Sequence, residues 1–474
     1  MNILIGYGAV ALFMALVVGV LQLTRRPDVT FVDYATAGRS FGSWFQTMSF
    51  LNTWIAGTGF ISFAGLAVSG GVIGYYSMLY SLLGVVMMFF LADRVSTWGR
   101  RLDLRTQSDL LGTRYRSMAV RRLAAGIGVL AGIPWLVLGM QSLGMVFSYL
   151  SFGHVSPGGA ILVGIGVLVL RQVWTVRMGM RGVVISDMVQ GIVAYGVGLV
   201  VIVAMIVWLV RGGHSLDAVA PEKFLLPLPG SAEGGWYLFS LLLTGFLGAW
   251  CWPDIFVRLF TARGVWTIKR SAVQAAPLML LFTGALTTLA LLASSLPEVA
   301  AKPDHVWFLL LSHGGPVLLA LGGVIVIAAT MGNVDGAIQA VSAQVANDIL
   351  GSRSAELRTA RLAAVVMTAV GAVGAASTTA SVEGLIGWAI LSYQVIVQLA
   401  PALFLGVFWR RGGAAAALCG MASGIAVAGV LQMAYPVSVP WLGGLTSGVA
   451  GLIVNTAAYL AVACARPMPV QEAS

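Results

Sequence analysis

The chain has 474 residues, of which 59% are hydrophobic and 9% are charged, and its mean hydropathy is +0.92. An ordinary soluble domain carries about 25% charged residues, so this composition excludes a soluble globular protein and predicts an integral membrane protein. The net charge of +10 would also suit a protein that binds nucleic acid, and the placement of the charges has to decide between the two.

Apolar runs of about 20 residues, the length that crosses a bilayer as a helix, recur along the whole chain. The first run has no basic residue before it and no small-residue cleavage motif, so we interpret it as a retained helix rather than a signal peptide. We predict an all-α integral membrane protein of about 13 transmembrane helices, at residues 3–23, 42–67, 73–92, 120–150, 159–175, 183–210, 236–257, 272–294, 315–345, 361–379, 384–408, 413–434 and 442–464.

The basic residues indicate how these helices are oriented. With the N-terminus outside, every Lys and Arg except Arg211, Lys223 and Lys302 falls in or beside a cytoplasmic loop. This is the positive-inside distribution of membrane proteins, so the basic excess indicates orientation and not a nucleic-acid partner. The Arg-rich, Lys-poor composition suggests a bacterial source. We therefore predict the bacterial cytoplasmic (inner) membrane as the location, with the C-terminus in the cytoplasm.

Two predicted spans contain helix-weakening residues at mid-depth. The second holds NTWIAGTGFIS, with Gly57 and Gly59, and the seventh holds TGFLGAWCWPD, with Pro253. Lipid cannot satisfy the backbone groups that a broken helix frees, so such breaks persist where they pack in protein or line a wet cavity. Close packing of small residues between unbroken helices is the alternative interpretation.

The two interrupted spans lie five apart and therefore enter the membrane from opposite sides. Breaks at equivalent positions of two inverted halves indicate the binding site of a secondary transporter. We predict one transmembrane transporter domain, 1–474, built on a five-plus-five inverted repeat. Its parts are a peripheral first helix (1–35), the two halves (36–210 and 235–410), two peripheral helices (411–465) and a short cytoplasmic tail (466–474).

Five motifs, in this order, resemble those of the sodium/solute symporter family. They are YATAGRSFGSW (34–44), TQSDLLGTRY (106–115), MRGVVISDMVQG (180–191), WPDIFVRLFTA (252–262) and ATMGNVDG (329–336) with the following ANDIL (346–350). The resemblance covers about residues 30–410. It implies the inverted-repeat fold of the bacterial leucine transporter, and import of a small polar organic solute by cation-coupled symport with alternating access.

The resemblance also implies a sodium site between the break of the second span and the ninth span. Carried over by position, its ligands would be Ile55, Thr58, Ala329 and Asn333. This chain departs from the family because Gly332 and Asn333 replace a pair of hydroxyl residues. Sodium with altered ligands, a proton in place of sodium, and uncoupled uptake are therefore all open, and sodium is favoured. No cofactor other than Na+ or H+ as coupling ion is predicted.

Two carboxylates complete the predicted coupling site. Asp335 lies within the ninth span, where a charge costs roughly 2.5–3.5 kcal/mol on insertion scales. Asp187 matches an acid that assists cation release in the family. The alternatives are that Asp335 bonds local backbone near a helix end, and that Asp187 pairs with Arg177 or Arg181.

A substrate is expected between the two breaks, flanked by the fourth span. Tryptophan faces stack on planar or cationic ligands, although packing or an interfacial belt is the alternative for each ring. Arg171 and Arg258 are expected near cytoplasmic ends, so the absence of mid-membrane cations favours a neutral, zwitterionic or cationic solute. The predicted substrate-binding residues are Asn52, Trp54, Gly57, Gly59, Trp135, Gln141, Trp250 and Trp252, with Gln141 assigned by the resemblance.

Three other functions compete with transport. A solute-sensing domain is possible because members of the family occur fused to kinases, and the replaced hydroxyl residues would also suit a passive channel. A membrane enzyme is disfavoured, because the four histidines fall on predicted outer loops or their edges and no nucleophile–base set converges in the core. The expected partners are a small-molecule solute and the lipid bilayer, and the sequence does not indicate an oligomeric state.

Overall fold

The computed structural model describes residues 2–26, 29–351, 356–378, 390–409 and 411–465. These ranges are predominantly helical, and their only β-type pairings are two isolated bridges. The predicted tail (466–474) and the beginning of the span predicted at 384–408 lie outside the described residues.

Helices follow one another along the described chain and are numbered here in order. They are α1 (Asn2–Leu23), α2 (Phe31–Thr36), α3 (Ser43–Trp54), α4 (Ala64–Gly70), α5 (Tyr76–Leu91), α6 (Thr97–Arg101), α7 (Gln107–Tyr115), α8 (Met118–Leu150), α9 (Pro157–Met178), α10 (Met180–Gly191), α11 (Gly198–Arg211), α12 (Tyr237–Ala249), α13 (Pro253–Thr261), α14 (Val265–Ala293), α15 (Pro297–Ala301), α16 (Val306–Ser312), α17 (Gly315–Gln344), α18 (Glu356–Ser377), α19 (Ile390–Trp409), α20 (Ala414–Ala434) and α21 (Ser447–Ala465).

The number of membrane spans agrees with the prediction. In the described chain 11 helical stretches are long and apolar enough to cross a membrane, and the bent pair of α12 and α13 makes a twelfth. One stretch, Gly59–Arg101, has 43 residues, roughly twice the length that a bilayer needs. Gly71 interrupts it with a φ of 74° between α4 and α5, so it contributes to two spans, and the first of these begins with α3.

Both predicted helix breaks are present. Helix α3 ends at Trp54, because Ile55 has φ −97° and ψ 87°, outside the helical region. The helical path resumes at Gly59 and continues into α4. Helices α12 and α13 meet at an angle of 44°, and Pro253 opens α13, where its fixed φ and missing N–H suit the first helical turn.

The two breaks lie side by side in the protein core. The rings of Phe50 and Trp250 stack with their centroids 5.9 Å apart, and Trp54 lies 6.3 Å from Trp250 by the same measure. The interrupted helices of the two halves therefore meet, as the inverted-repeat architecture requires. The residue boundaries assigned to the halves from the sequence stay a prediction.

Helix α17 is the central element beside these breaks. Of its apolar membrane window 78% is buried inside the protein, against 33% for the peripheral helix α20. Small residues such as Gly332 and Gly336 let neighbouring side chains approach its backbone closely. Helix α17 thereby carries the residues predicted for cation binding into the middle of the molecule.

Candidate functional site

A small cavity lies between the two helix breaks. Six aromatic side chains line it, together with polar groups contributed by the break of α3, by α13 and by α17. The wall includes Thr53, Trp54, Thr58, Tyr80, Trp135, Trp252, Asp254, Asn333 and Tyr393.

Three aromatic rings, from α8, α19 and the break between α12 and α13, form one side of this cavity. Trp135, Trp252 and Tyr393 meet edge to face, with centroid separations of 6.0, 6.0 and 5.7 Å. A second cavity, also lined by Thr58, Trp135 and Tyr393, lies against them. Together with Phe63, these shared residues mark the boundary between the two cavities.

Two buried hydrogen-bond donors at this boundary have no partner in the described chain. They are Nε1 of Trp135 and Oγ1 of Thr58. An indole N–H can only donate, and a buried donor without an acceptor costs about 1–3 kcal/mol. The boundary between the cavities is therefore suited to a ligand that brings acceptor atoms.

Asp254 is a cavity residue that the sequence analysis did not select. It lies in the first turn of α13 and is 6% exposed. No side chain of the described residues forms a direct ion pair with it, although Arg258, one helical turn further on, interacts with it electrostatically. The signal in the sequence was an acid placed immediately after Pro253 in an otherwise apolar span.

Of the predicted substrate-binding residues, Trp54, Trp135 and Trp252 line the cavity. Gly59 lines a smaller neighbouring cavity. Gly57 packs against α17, where an added Cβ would overlap Oγ1 of Thr330. Gly57 therefore allows a close approach of two helices, which is the alternative interpretation given to such glycines above.

Three predicted substrate-binding residues do not line the cavity. Asn52 is fully buried, and its Nδ2 donates to Oδ1 of Asp187 at 3.1 Å. Trp250 is also fully buried, with Nε1 donating to the carbonyl of Gly84 at 2.9 Å. Gln141 donates to the carbonyl of Thr378 at 2.9 Å. Contact of these three residues with a substrate stays a prediction.

Side-chain donors occupy the neighbourhood of the predicted sodium site. Nδ2 of Asn333 donates to the carbonyl of Thr53 at 2.8 Å, and the Tyr195 hydroxyl donates to the carbonyl of Ile55 at 2.7 Å. Ala329 is fully buried within α17, and Thr58 lies at the cavity boundary. Sodium binding by this set of residues stays a prediction.

The replacement of a hydroxyl residue by Gly332 has a local structural reason. A Cβ at position 332 would overlap the side-chain amide of Asn52 and lie 2.8 Å from Oδ1 of Asp187. The Asn52 amide thus fills the space that a hydroxyl side chain at 332 would need. The two residues, on α3 and α17, are complementary in volume.

Asp335 forms a fully buried ion pair with Arg171 of α9. Nε2 of Gln172 also donates to its Oδ1 at 2.6 Å. The pairing replaces the alternative that Asp335 bonds local backbone, and Arg171 is fully buried. The free-energy cost of exposing a charge to lipid does not apply to this pair, because protein encloses both groups.

Asp187 pairs with an arginine of the opposite half. Its Oδ2 lies 3.3 Å from Nη2 of Arg258 and accepts from the hydroxyl of Ser49 at 2.6 Å. Nε of Arg258 donates to Oγ1 of Thr53 at 3.1 Å. Arg258 is fully buried and joins α3, α10 and α13. The expected partners Arg177 and Arg181 do not form this pair.

Comparisons with known proteins agree with this architecture. A family model described as the sodium:solute symporter family matches residues 34–424. The chain is similar to the uncharacterized symporter YhjB of Bacillus subtilis, with 22% identity over 93% of each chain. It is also similar to a monocarboxylic acid transporter of Corynebacterium glutamicum, with 23% identity over 85% of this chain and 79% of the relative.

Solved structures share the fold. A Na+-coupled sialic acid symporter in a substrate-bound, outward-open state superposes with a TM-score of 0.79, covering 98% of this chain and 99% of that chain at 16% sequence identity. A nucleobase-cation-symport transporter, Mhp1, matches with a TM-score of 0.54 over 93% of this chain and 96% of that one, at 14% identity. The predicted leucine-transporter-like fold class is confirmed.

Proposed function

Because the chain belongs to the sodium:solute symporter family, we propose that it imports a small monocarboxylate across the cytoplasmic membrane of a bacterium. Membership makes it a secondary transporter that moves a solute together with a cation, and not an enzyme. The transported solute, the coupling ion and the orientation in the membrane belong to the proposal.

The observation that carries the choice of solute is the pair of unpartnered donors at the cavity boundary. Nε1 of Trp135 and Oγ1 of Thr58 both lack an acceptor, and both border the two cavities. A carboxylate offers two strong acceptor oxygens, and a hydrogen bond to a charged group contributes about 1.5–3 kcal/mol. The surrounding aromatic wall suits a short apolar body attached to the carboxylate.

This proposal revises the expectation of a neutral, zwitterionic or cationic solute. That expectation was based on the absence of mid-membrane Lys and Arg, but neutral donors in a dry site bind an anion without a formal positive charge. The name of the Corynebacterium glutamicum relative, a monocarboxylic acid transporter, supports the same class of solute.

Alternating access would operate across the residues shared by the two cavities. The breaks after Trp54 and before Pro253 are the places where short helical segments can tilt without disrupting a continuous hydrogen-bond ladder. The solute would enter one cavity, bind at Trp135 and Thr58, and leave through the other after the segments tilt. The coupling cation would bind with the solute and leave with it.

Uptake by the purified protein in liposomes tests this proposal. We expect radiolabelled pyruvate or propionate to accumulate under an imposed inward cation gradient. Trp135→Phe, which keeps an aromatic side chain but removes the indole N–H, should raise KM by about tenfold or more, the equivalent of one lost charge-assisted hydrogen bond. The matched control is Trp266→Phe, at a position that is 75% exposed, and its KM should not change.

Two results would contradict the proposal. One is that neither monocarboxylate accumulates in wild-type liposomes under a sodium gradient or a proton gradient. The other is that Trp135→Phe and Thr58→Val both transport with the wild-type KM, since the two donors would then not contact the solute.

A further inference from the structure

The charged side chains buried in the middle of the described core do not balance. Asp187, Asp254 and Asp335 are at most 6% exposed, and so are the two arginines Arg171 and Arg258. Arg171 pairs with Asp335, and Arg258 pairs with Asp187. In the described residues the Asp254 carboxylate forms no direct ion pair. It shares the electrostatic attraction of Arg258 with Asp187, so two buried acids depend on one guanidinium. A buried charge compensated in this incomplete way is costly unless something neutralises it.

Arg258 follows Asp254 by one helical turn, but its guanidinium is already engaged elsewhere. Its Nε and Nη2 donate to Oγ1 of Thr53 at 3.1 and 2.5 Å, and Nη2 also lies 3.3 Å from Asp187. Its Nη1 points to the sulfur of Met180 at 2.9 Å. Asp254 instead lines the cavity, where a cation that enters the cavity could contact it.

Few groups that face Asp254 can carry charge. The cavity wall is completed by groups that do not titrate, among them Thr53 and Trp54 on the α3 side, Trp135 on α8 and Asn333 on α17. The titratable or charged groups on the packed elements are Arg258 on its own helix α13, Asp187 on α10, Tyr393 on α19 and Tyr80 on α5.

We propose that Asp254 is the proton-binding site that couples the transport. A proton from the outer solution bonds to a carboxylate oxygen of Asp254, makes the buried core neutral, and dissociates into the cytoplasm after the solute is carried across. This assignment depends on the proposed monocarboxylate uptake, which it deepens by naming the coupling ion and its residue.

A proton suits this position better than sodium does. A metal cation needs several oxygen ligands converging on one point. The other side-chain oxygens that line the cavity with Asp254 belong to Thr53, Thr58, Asn333 and two tyrosines, and the Thr53 hydroxyl already accepts from Arg258. At the predicted sodium site, the Ile55 carbonyl already accepts a hydrogen bond from Tyr195, and the Asn333 amide donates to the neighbouring carbonyl of Thr53. A proton needs only one carboxylate oxygen.

The same placement explains how two ligands become coupled. An ionised Asp254 repels a carboxylate brought into the same poorly hydrated cavity, since like charges interact strongly at low dielectric. A protonated Asp254 removes this repulsion and offers an O–H donor. The monocarboxylate and the proton therefore bind together, one of each, and the combined transport carries no net charge.

The test is uptake of [14C]pyruvate and [14C]propionate by the full-length protein in liposomes. In wild type we expect a pH gradient (acid outside) to drive accumulation without sodium, and clamping the membrane potential with valinomycin and potassium to leave the rate unchanged. Asp254→Asn, which is permanently neutral, should lose accumulation driven by the pH gradient but keep exchange of external for internal monocarboxylate, now independent of pH. The matched control is Asp93→Asn, at an exposed carboxylate paired with Lys269, which should behave as wild type.

Accumulation by Asp254→Asn under a pH gradient, or accumulation by wild type only under a sodium gradient, would overturn the assignment. If Asp254→Asn also loses exchange, two further measurements decide whether Asp254 binds the proton: uptake by Asp254→Glu, and infrared difference spectra of the purified protein. Asp254→Glu should keep proton-driven uptake with a displaced pH profile. The wild-type spectra should show a carboxylic acid C=O band that disappears as pH rises and is absent in Asp254→Asn; without that band the assignment is wrong.

The infrared result is independent of the solute. A titrating Asp254 band in a protein that accumulates neither monocarboxylate would contradict the proposed function and leave the proton site standing. Sodium-driven accumulation of a monocarboxylate with no such band would support the proposed function and contradict the proton site.

Discussion

At the scale of single residues, the contact between Gly332 and Asn52 shows how a small residue and a large one share a fixed volume. An added Cβ at 332 would overlap the Asn52 amide, which itself is held by Asp187. The space that a hydroxyl residue would occupy at 332 is therefore filled from the neighbouring helix. A substitution at either residue should depend on the identity of the other.

We predict that Gly332→Ala lowers the free energy of unfolding by about 1–3 kcal/mol, the usual cost of overpacking a core. In an Asn52→Ala background the same change should cost clearly less, because the amide that it overlaps has been removed. The measurement is unfolding in detergent of both single variants and the double variant. Equal costs of Gly332→Ala in the two backgrounds would show that the two side chains do not compete for space.

At the scale of structural elements, two buried ion pairs join the core helices, and the local sequence pattern predicts neither of them. Asp335 of α17 pairs with Arg171 of α9, and Asp187 of α10 pairs with Arg258 of α13. Removing one partner of a buried pair costs about 3–5 kcal/mol, because the other charge stays buried. The ion pair with Arg171 gives Asp335 a structural role, and its predicted role in coupling stays a prediction.

A second contact between elements joins the loop before α16 to helix α4. The carboxylate of Asp304, which is 2% exposed, lies against Gly65, where an added Cβ would overlap it. Burial raises the pKa of Asp304 from 3.8 to about 7. The native state therefore holds a proton on this group over a range of pH in which the unfolded chain has released it.

We predict that this contact makes the protein less stable as pH rises from about 4 to 7, with no further loss from Asp304 above that range. The sign follows because the native state binds more protons than the unfolded state between the two pKa values. Asp304→Asn should remove this part of the pH dependence, and Asp217→Asn, at an exposed loop position, should not. Unfolding midpoints in detergent across this pH range are the measurement, and an unchanged slope in Asp304→Asn would contradict the prediction.

At the scale of the whole molecule, the distribution of basic residues sets the proposed orientation in the membrane. Cys464 lies in the last turn of α21 and is exposed, as is Cys419, whereas Cys251 is buried. With the C-terminus in the cytoplasm, a membrane-impermeant maleimide should label Cys464 in inside-out vesicles and not in right-side-out vesicles. Cys419→Ser provides the background for this measurement.

The matched control for orientation is Ser231→Cys, introduced with Cys464→Ser in the same background. Ser231 is exposed in the loop before α12, which the topology assigns to the outer side, so its labelling pattern should be the opposite. Labelling of Cys464 from the outside of intact cells would reverse the proposed topology.

The amino-acid sequence by itself determined the class of protein, the number of spans and the two helix breaks. Hydropathy is a local property, and a break is caused by glycine and proline at the place where it occurs, as with Pro253 at the beginning of α13. The family was also recognisable, because its motifs are short and follow one another in order. These features need no knowledge of which helix packs against which.

Only the tertiary structure decided where the side chains point and which charges meet. Asn52 and Trp250 turned out to face protein partners, and Asp254 to face the cavity. The rotation of a largely buried helix is set by its neighbours on all sides, so apolar periodicity along its own sequence cannot reveal it. Ion pairs between distant segments, such as Asp187 with Arg258, form because folding brings them together, which is why the balance of buried charge became visible only in three dimensions.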